Sequence, residues 1–129
     1  MDNRSINDRY TEIAYDLINE KDELINLRGA DITILCLSSD CEKKSGGKVI
    51  FGQCEKIADK YKWGIPCDFT ITIFEPNIIG FTDEQLRILI YHELLHVGVD
   101  GDRLFINKHD IEDFRAIIKE YGVDWTTTQ

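Results

Sequence analysis

The sequence of 129 residues lacks several features that mark common classes of protein. No run of 18 consecutive apolar residues occurs, so we expect no membrane-spanning helix. The N-terminus is polar and has no apolar secretory segment, so the expected location is the cytoplasm. The chain has 15 basic residues against 24 acidic ones, and no basic run longer than Lys43-Lys44. Nucleic acids and anionic membranes are therefore not expected partners.

The sequence also lacks a C-x-x-C pair, although it contains four cysteines. In a reducing compartment we expect these residues to be free thiols that pack mainly in the core. A structural four-cysteine zinc site is a weaker alternative, because the spacings do not match the usual zinc knuckles. The residues concerned are Cys36, Cys41, Cys54 and Cys67.

The most informative segment is HELLH at residues 92–96, which matches the H-E-x-x-H pattern of zinc peptidases. Side chains four residues apart lie on one face of an α-helix, so His92 and His96 can bind one metal ion. Glu93 lies about 100° further round the helix and can reach a water molecule held between them. The spacing therefore predicts a zinc site with His92 and His96 as ligands and Glu93 as the catalytic residue.

The residues around the motif predict the helix that it requires. Thr82 and Gln85 form a capping-box pattern, apolar residues recur at helical spacing, and Gly98 fits a C-terminal stop. We therefore expect a helix over residues 83–97 with the motif in its last turns. The alternative is a pair of core histidines, but polar groups in so apolar a helix are costly unless something satisfies them.

The remaining periodicity predicts an α+β fold. Residues 6–27 have the spacing of an amphipathic helix. Residues 31–37 and 48–57 have strand composition and predict a hairpin, while residues 68–74 alternate as a strand with one buried face. Asn107 is a good N-cap for a last helix that Gly122 closes.

We therefore expect one α+β domain over residues 1–129. Its parts are an N-terminal helix, a small and mostly antiparallel three-stranded sheet, the HExxH helix and a C-terminal helix. A hydrophobic content of 43% is enough for a core of this size.

A catalytic zinc takes three protein ligands and keeps a fourth position open. His109, the remaining histidine, lies at the start of the last expected helix and is the first candidate for the third ligand. Glu112 and Asp113 lie three and four residues later on the same helical face and are alternatives. Asp102 is another, because it holds the third-ligand position of the metzincin pattern, although the glycine is displaced and no Met-turn exists.

The stretch CDFTITIFEPNIIGFTDEQLRILIYHELLHVG, followed by KHDIEDFRAIIKEYGVDW, resembles the putative phage metallopeptidase family, distant kin of SprT-like zinc proteases. The resemblance covers roughly residues 31–125, and HELLH with HDIEDF is its most specific part. It implies a zincin-like α+β fold with His92, His96 and His109 as zinc ligands and Glu93 as the catalytic base. The four cysteines have no evident place in the family pattern.

The predicted function is zinc-dependent hydrolysis of a peptide or protein substrate, with Glu93 acting on zinc-bound water. Tyr91 and Tyr121 are candidates for a second electrophile, and a sheet edge could hold an extended substrate. One alternative is an endoribonuclease-like zinc hydrolase, which the acidic charge balance disfavours. Another is a non-catalytic, zinc-stabilised interaction module, which would not need Glu93.

Overall fold

The computed structural model describes residues 3–107. In that range the fold is α+β, with α1 (Asp8–Glu20) and α2 (Asp83–Leu94) as its α-helices. The strands are β1 (Arg4–Ile6), β2 (Ile34–Ser39), β3 (Lys44–Ser45), β4 (Lys48–Val49), β5 (Gly52–Lys56), β6 (Phe69–Phe74), β7 (Val97–Asp100) and β8 (Arg103–Ile106). The predicted C-terminal helix lies outside the described residues, apart from Asn107.

The main sheet has four strands in the order β1-β2-β6-β5. Strands β2 and β6 are parallel, and the other two pairs are antiparallel. The predicted three-stranded sheet is therefore wrong, because it omitted β1. This strand has only three residues, all exposed, so its sequence carries no alternating pattern.

The predicted hairpin between β2 and β5 is also wrong, because both strands pair with β6 instead. All six side chains of β6 are buried, including those of Thr70 and Thr72, which the alternation had assigned to an exposed face. The guanidinium of Arg4 donates to the hydroxyl of Thr72 (3.2 Å). A strand that is covered on both faces takes the centre of the sheet, and its neighbours therefore need not pair with each other.

The loop between β2 and β5 contains a small separate hairpin of β3 and β4. Gly46 and Gly47 form its turn with φ angles of 58° and 79°. Positive φ at both central residues is the requirement of a tight hairpin turn, and glycine adopts it without steric cost.

Helix α1 is shorter than the predicted helix over residues 6–27. It begins at Asp8, where the side chain of Asn7 accepts the amide of Tyr10 (3.0 Å) as an N-cap. It ends at Glu20, and a 3-10 helix follows over Asp22–Leu27. Leu24 and Leu27 are buried at the spacing of three that a 3-10 helix requires, so the apolar periodicity continues although the α-helix does not.

Both α-helices pack on one face of the main sheet and form the core with it. Arg9 pairs with Asp83, and Arg87 pairs with Glu20, across the two helices. No helix among residues 3–107 is long and apolar enough to cross a membrane. The core includes Ala14, Leu17, Ile18, Ile34, Cys36, Ile71, Ile73, Leu86, Leu89, Ile90 and Leu94.

The start of α2 is confirmed, but its predicted end is wrong. Thr82 and Gln85 form the predicted capping box, with reciprocal bonds of 3.1 and 2.8 Å. The helix ends at Leu94 rather than at residue 97, and Gly98 lies inside β7 instead of stopping the helix. Strands β7 and β8 form a hairpin whose turn contains Gly101 at φ 61°.

Gly98 is required by the packing of this hairpin. A Cβ atom at Gly98 would lie 2.4 Å from Cε2 of the Phe105 ring, on the paired strand. This distance is shorter than any ordinary van der Waals contact, so the ring covers the glycine backbone directly. Phe105 therefore takes the space that a side chain at position 98 would fill.

We predict that Gly98→Ala lowers the free energy of unfolding by about 1–3 kcal/mol, because the new methyl group overpacks the hairpin. Urea denaturation measures the change. Gly80→Ala is the control, since a Cβ there meets nothing within 4 Å. Equal stability of the two variants would contradict this account of the hairpin.

Candidate metal centre

The end of α2 and the turn that follows it bring two histidines of the motif together. The ring centroids of His92 and His96 lie 5.4 Å apart, with the ring planes at 67°. Both residues are half-buried. The two rings are therefore close together, although α2 ends at Leu94 and His96 lies in the turn that follows it, not on the predicted helical face.

His96 is held by a hydrogen bond to the main chain. Its Nδ1 lies 2.6 Å from the carbonyl oxygen of Asn107. A carbonyl oxygen can only accept, so Nδ1 must carry the proton. In the neutral ring Nε2 then keeps its lone pair, which is the state that a metal ligand needs.

The side chain of Glu93 points toward the sheet. It is 4% exposed, and a Cβ atom at Gly52 would lie 3.3 Å from both Cγ and Oε2 of Glu93. Gly52 begins β5, and Cys54 lies two residues further along the same face of that strand. Burial, and then the charge of Glu93, raises the pKa of the Cys54 thiol. The carboxylate thus lies between the motif helix and an edge strand.

The separation of the two imidazoles fits a shared zinc ion. With Zn–N bonds of about 2.1 Å and tetrahedral angles, ring centres on one ion lie about 5 Å apart. The observed 5.4 Å is close to that value. The protonation of His96 Nδ1 is a second feature that suits a metal ligand.

Residues 3–107 do not supply a third ligand. No group of three His, Cys, Asp or Glu side chains in that range could hold a metal ion. Asp102 is exposed in the β7–β8 turn, at the end of the hairpin opposite His96. The other candidates, His109, Glu112 and Asp113, lie outside the described residues, so the third ligand stays a prediction.

The two tyrosines proposed as electrophiles have different outcomes. Tyr91 is 1% exposed and belongs to the hydrophobic core, with the ammonium of Lys21 5.4 Å from its ring centre. A side chain in that position serves packing, so Tyr91 is not a suitable electrophile. Tyr121 lies outside the described residues.

All four cysteines lie within the described part of the chain, and no disulfide joins them. Cys36 and Cys67 are buried, whereas Cys41 and Cys54 are half-buried. Burial raises the pKa of the Cys36 thiol to about 12. Because no metal-binding group of three or more occurs among residues 3–107, the alternative of a four-cysteine zinc site is not supported.

Sequence reasoning missed the hairpin that brings Asn107 back to His96. The two residues between the paired Asp100 and Arg103 are Gly101 and Asp102, and a glycine at the first central position is a signal of a two-residue hairpin. Asn107 was considered only as an N-cap. Gly52 is a point of close approach, where both Glu93 and Cδ1 of Ile73 would lie 3.3 Å from a Cβ atom.

A comparison with protein-family models matches residues 3–129 to the model described as putative phage metallopeptidase. The chain belongs to the putative phage metallopeptidase family. Neither the curated proteins nor the solved structures that were searched gave a match. Membership confirms the resemblance that the sequence predicts, and the family's description names a metallopeptidase.

We predict that Gly52→Val destabilises the protein by about 1–3 kcal/mol, because the branched side chain competes with Glu93 for space. In a Glu93→Ala background the same change should cost less, since the competing side chain is absent. A double-mutant cycle by urea denaturation measures this coupling, expected at about 0.5–3 kcal/mol. If Gly52→Val lowered the free energy of unfolding equally in both backgrounds, the side chain at position 52 would not compete with Glu93 for space.

Proposed function

We propose that this member of the family is a zinc-dependent peptidase. His92, His96 and His109 hold the zinc ion, and Glu93 is the general base. The observation that carries the proposal is the bond from His96 Nδ1 to the carbonyl of Asn107, which leaves Nε2 as the metal-binding nitrogen. The imidazole separation of 5.4 Å and the buried carboxylate of Glu93 support it.

A zinc ion bound there supplies Lewis acidity, which polarises a carbonyl group and lowers the pKa of a coordinated water molecule. The carboxylate of Glu93 accepts a proton from the attacking water and then donates it to the nitrogen of the departing amine. The Glu93 side chain is 4% exposed and lies against Gly52. A proton held there passes more readily to the substrate than to solvent.

Strand β5 is the natural place for an extended substrate. It forms one edge of the main sheet and pairs with β6, while β8 lies near it but pairs with β7. On either side of β5, the carbonyl of Phe51 accepts the amide of Phe74, and the amide of Ile57 donates to the carbonyl of Asp68. The alternation of antiparallel pairing then directs the peptide groups of Gly52, Cys54 and Lys56 away from the sheet. A substrate paired with them would lie beside Glu93.

We predict that Glu93→Gln lowers the rate of peptide hydrolysis by about 100- to 10,000-fold, because an amide cannot accept the proton. Bound zinc, measured by elemental analysis, should stay at the wild-type ratio. Glu84→Gln is the control, as an exposed glutamate in the first turn of the same helix. Wild-type activity in Glu93→Gln would reject Glu93 as the base.

The third ligand can be tested by a pair of variants. We expect His109→Ala to lose zinc on dialysis, because two imidazoles alone hold the ion weakly. Asp102→Ala should retain it, since Asp102 is exposed at the hairpin turn. Elemental analysis of both proteins after dialysis measures the difference. The opposite result would assign the ligand to Asp102, and retention in both would direct attention to Glu112 and Asp113.

A further inference from the structure

We infer that Asn107 is a positioning residue, whose side-chain amide keeps its own carbonyl group on His96 and so fixes the metal-binding nitrogen of that ring. The inference rests on the proposed function, since it concerns the same zinc site. It assigns a role to a side chain that touches neither the metal ion nor the substrate.

Asn107 bonds to three consecutive residues that follow α2, of which the first, Leu95, is the C-cap of the helix. Its Nδ2 donates to the carbonyls of Leu95 (3.2 Å) and Val97 (3.4 Å), and its main-chain amide donates to the carbonyl of His96 (2.7 Å). Carbonyl groups at a helix C-terminus have no partners within the helix. One residue therefore satisfies the carbonyls on both sides of His96 and that of His96 itself.

The hairpin explains why the side chain matters. The pairing of Val97 with Ile106 is the last rung of the β7–β8 ladder, so Asn107 lies opposite His96 just beyond it. Ladder ends tend to open, because only few bonds hold them. Ile106 is exposed and gives little packing there. The amide of Asn107 adds two bonds at this point and so holds the carbonyl within 2.6 Å of Nδ1.

The structure also contains a matched control. The Nδ2 of Asn77 donates to the carbonyls of Lys43 (3.0 Å) and Ile50 (2.7 Å). Asn77 therefore makes the same pair of bonds as Asn107, but to carbonyl groups outside the motif. The Asn77→Ala variant measures what the loss of such an amide costs in stability and zinc affinity in general. Any additional loss in Asn107→Ala is then the specific effect on His96.

The first measurement is the zinc affinity of the full chain by competition with a chelator. Asn107→Ala should bind zinc about 10- to 100-fold more weakly, as expected for a lost orienting group. Asn77→Ala should retain the wild-type affinity. Asn107→Asp serves as a second variant of nearly the same shape that cannot donate, so its affinity should also fall. Wild-type affinity in both Asn107 variants would overturn the inference.

The second measurement is independent of zinc. Nitrogen-15 spectra of the metal-free protein should show His96 with its proton on Nδ1 in the wild type and in Asn77→Ala. In both Asn107 variants the ring should populate the other tautomer as well. An unchanged His96 tautomer in these variants would overturn the inference. A wild type that binds no zinc would reject the proposed function, while the ring spectra would still decide the role of Asn107.

Discussion

The hydrogen bond between the His96 ring and the carbonyl of Asn107 connects the two halves of the candidate centre. It spans 2.6 Å and joins the end of α2 to the residue that follows β8. The β7–β8 hairpin between them returns the chain to His96. A helix that continued to residue 97 would have carried the following residues away from that ring.

The sheet edge provides the second constraint. Gly52 leaves just enough room for Glu93, whose Cγ and Oε2 would be 3.3 Å from any Cβ there. The same glycine has its peptide group directed outward from the sheet, as the alternation of the ladder requires. One residue therefore meets two demands, since it accommodates the carboxylate and offers main-chain groups beside it. A larger residue would meet only the second.

The features that could be predicted from sequence are those that depend on neighbouring residues. The capping box of Thr82 and Gln85 involves a spacing of three, so local helix geometry determines it. His92 and His96 are also close together, but His96 follows the end of α2 and its ring is bonded to the carbonyl of Asn107. The centre of the sheet depends instead on contacts between distant segments. The alternation in β6 indicated one exposed face, but Arg4 reaches across to Thr72, and no local pattern encodes that contact. The predicted end of α2 is wrong for the same reason. The packing of Phe105 on Gly98 forms only when the β7–β8 hairpin closes.

The H-E-x-x-H motif itself places His92 and Glu93 on different sides of the helix. Successive residues on a helix are separated by about 100°, so Glu93 cannot share the direction of His92. When the histidines occupy the half-buried side, the glutamate is turned toward the sheet, where it is 4% exposed.

Burial of a carboxylate is costly in an apolar interior, and the strand beneath Glu93 must therefore have space for a polar group. An edge strand that begins with glycine satisfies this condition, whereas the fully buried β6 does not. The placement of β5 at the edge, rather than in the predicted hairpin with β2, is thus the arrangement that an H-E-x-x-H helix packed on this sheet requires.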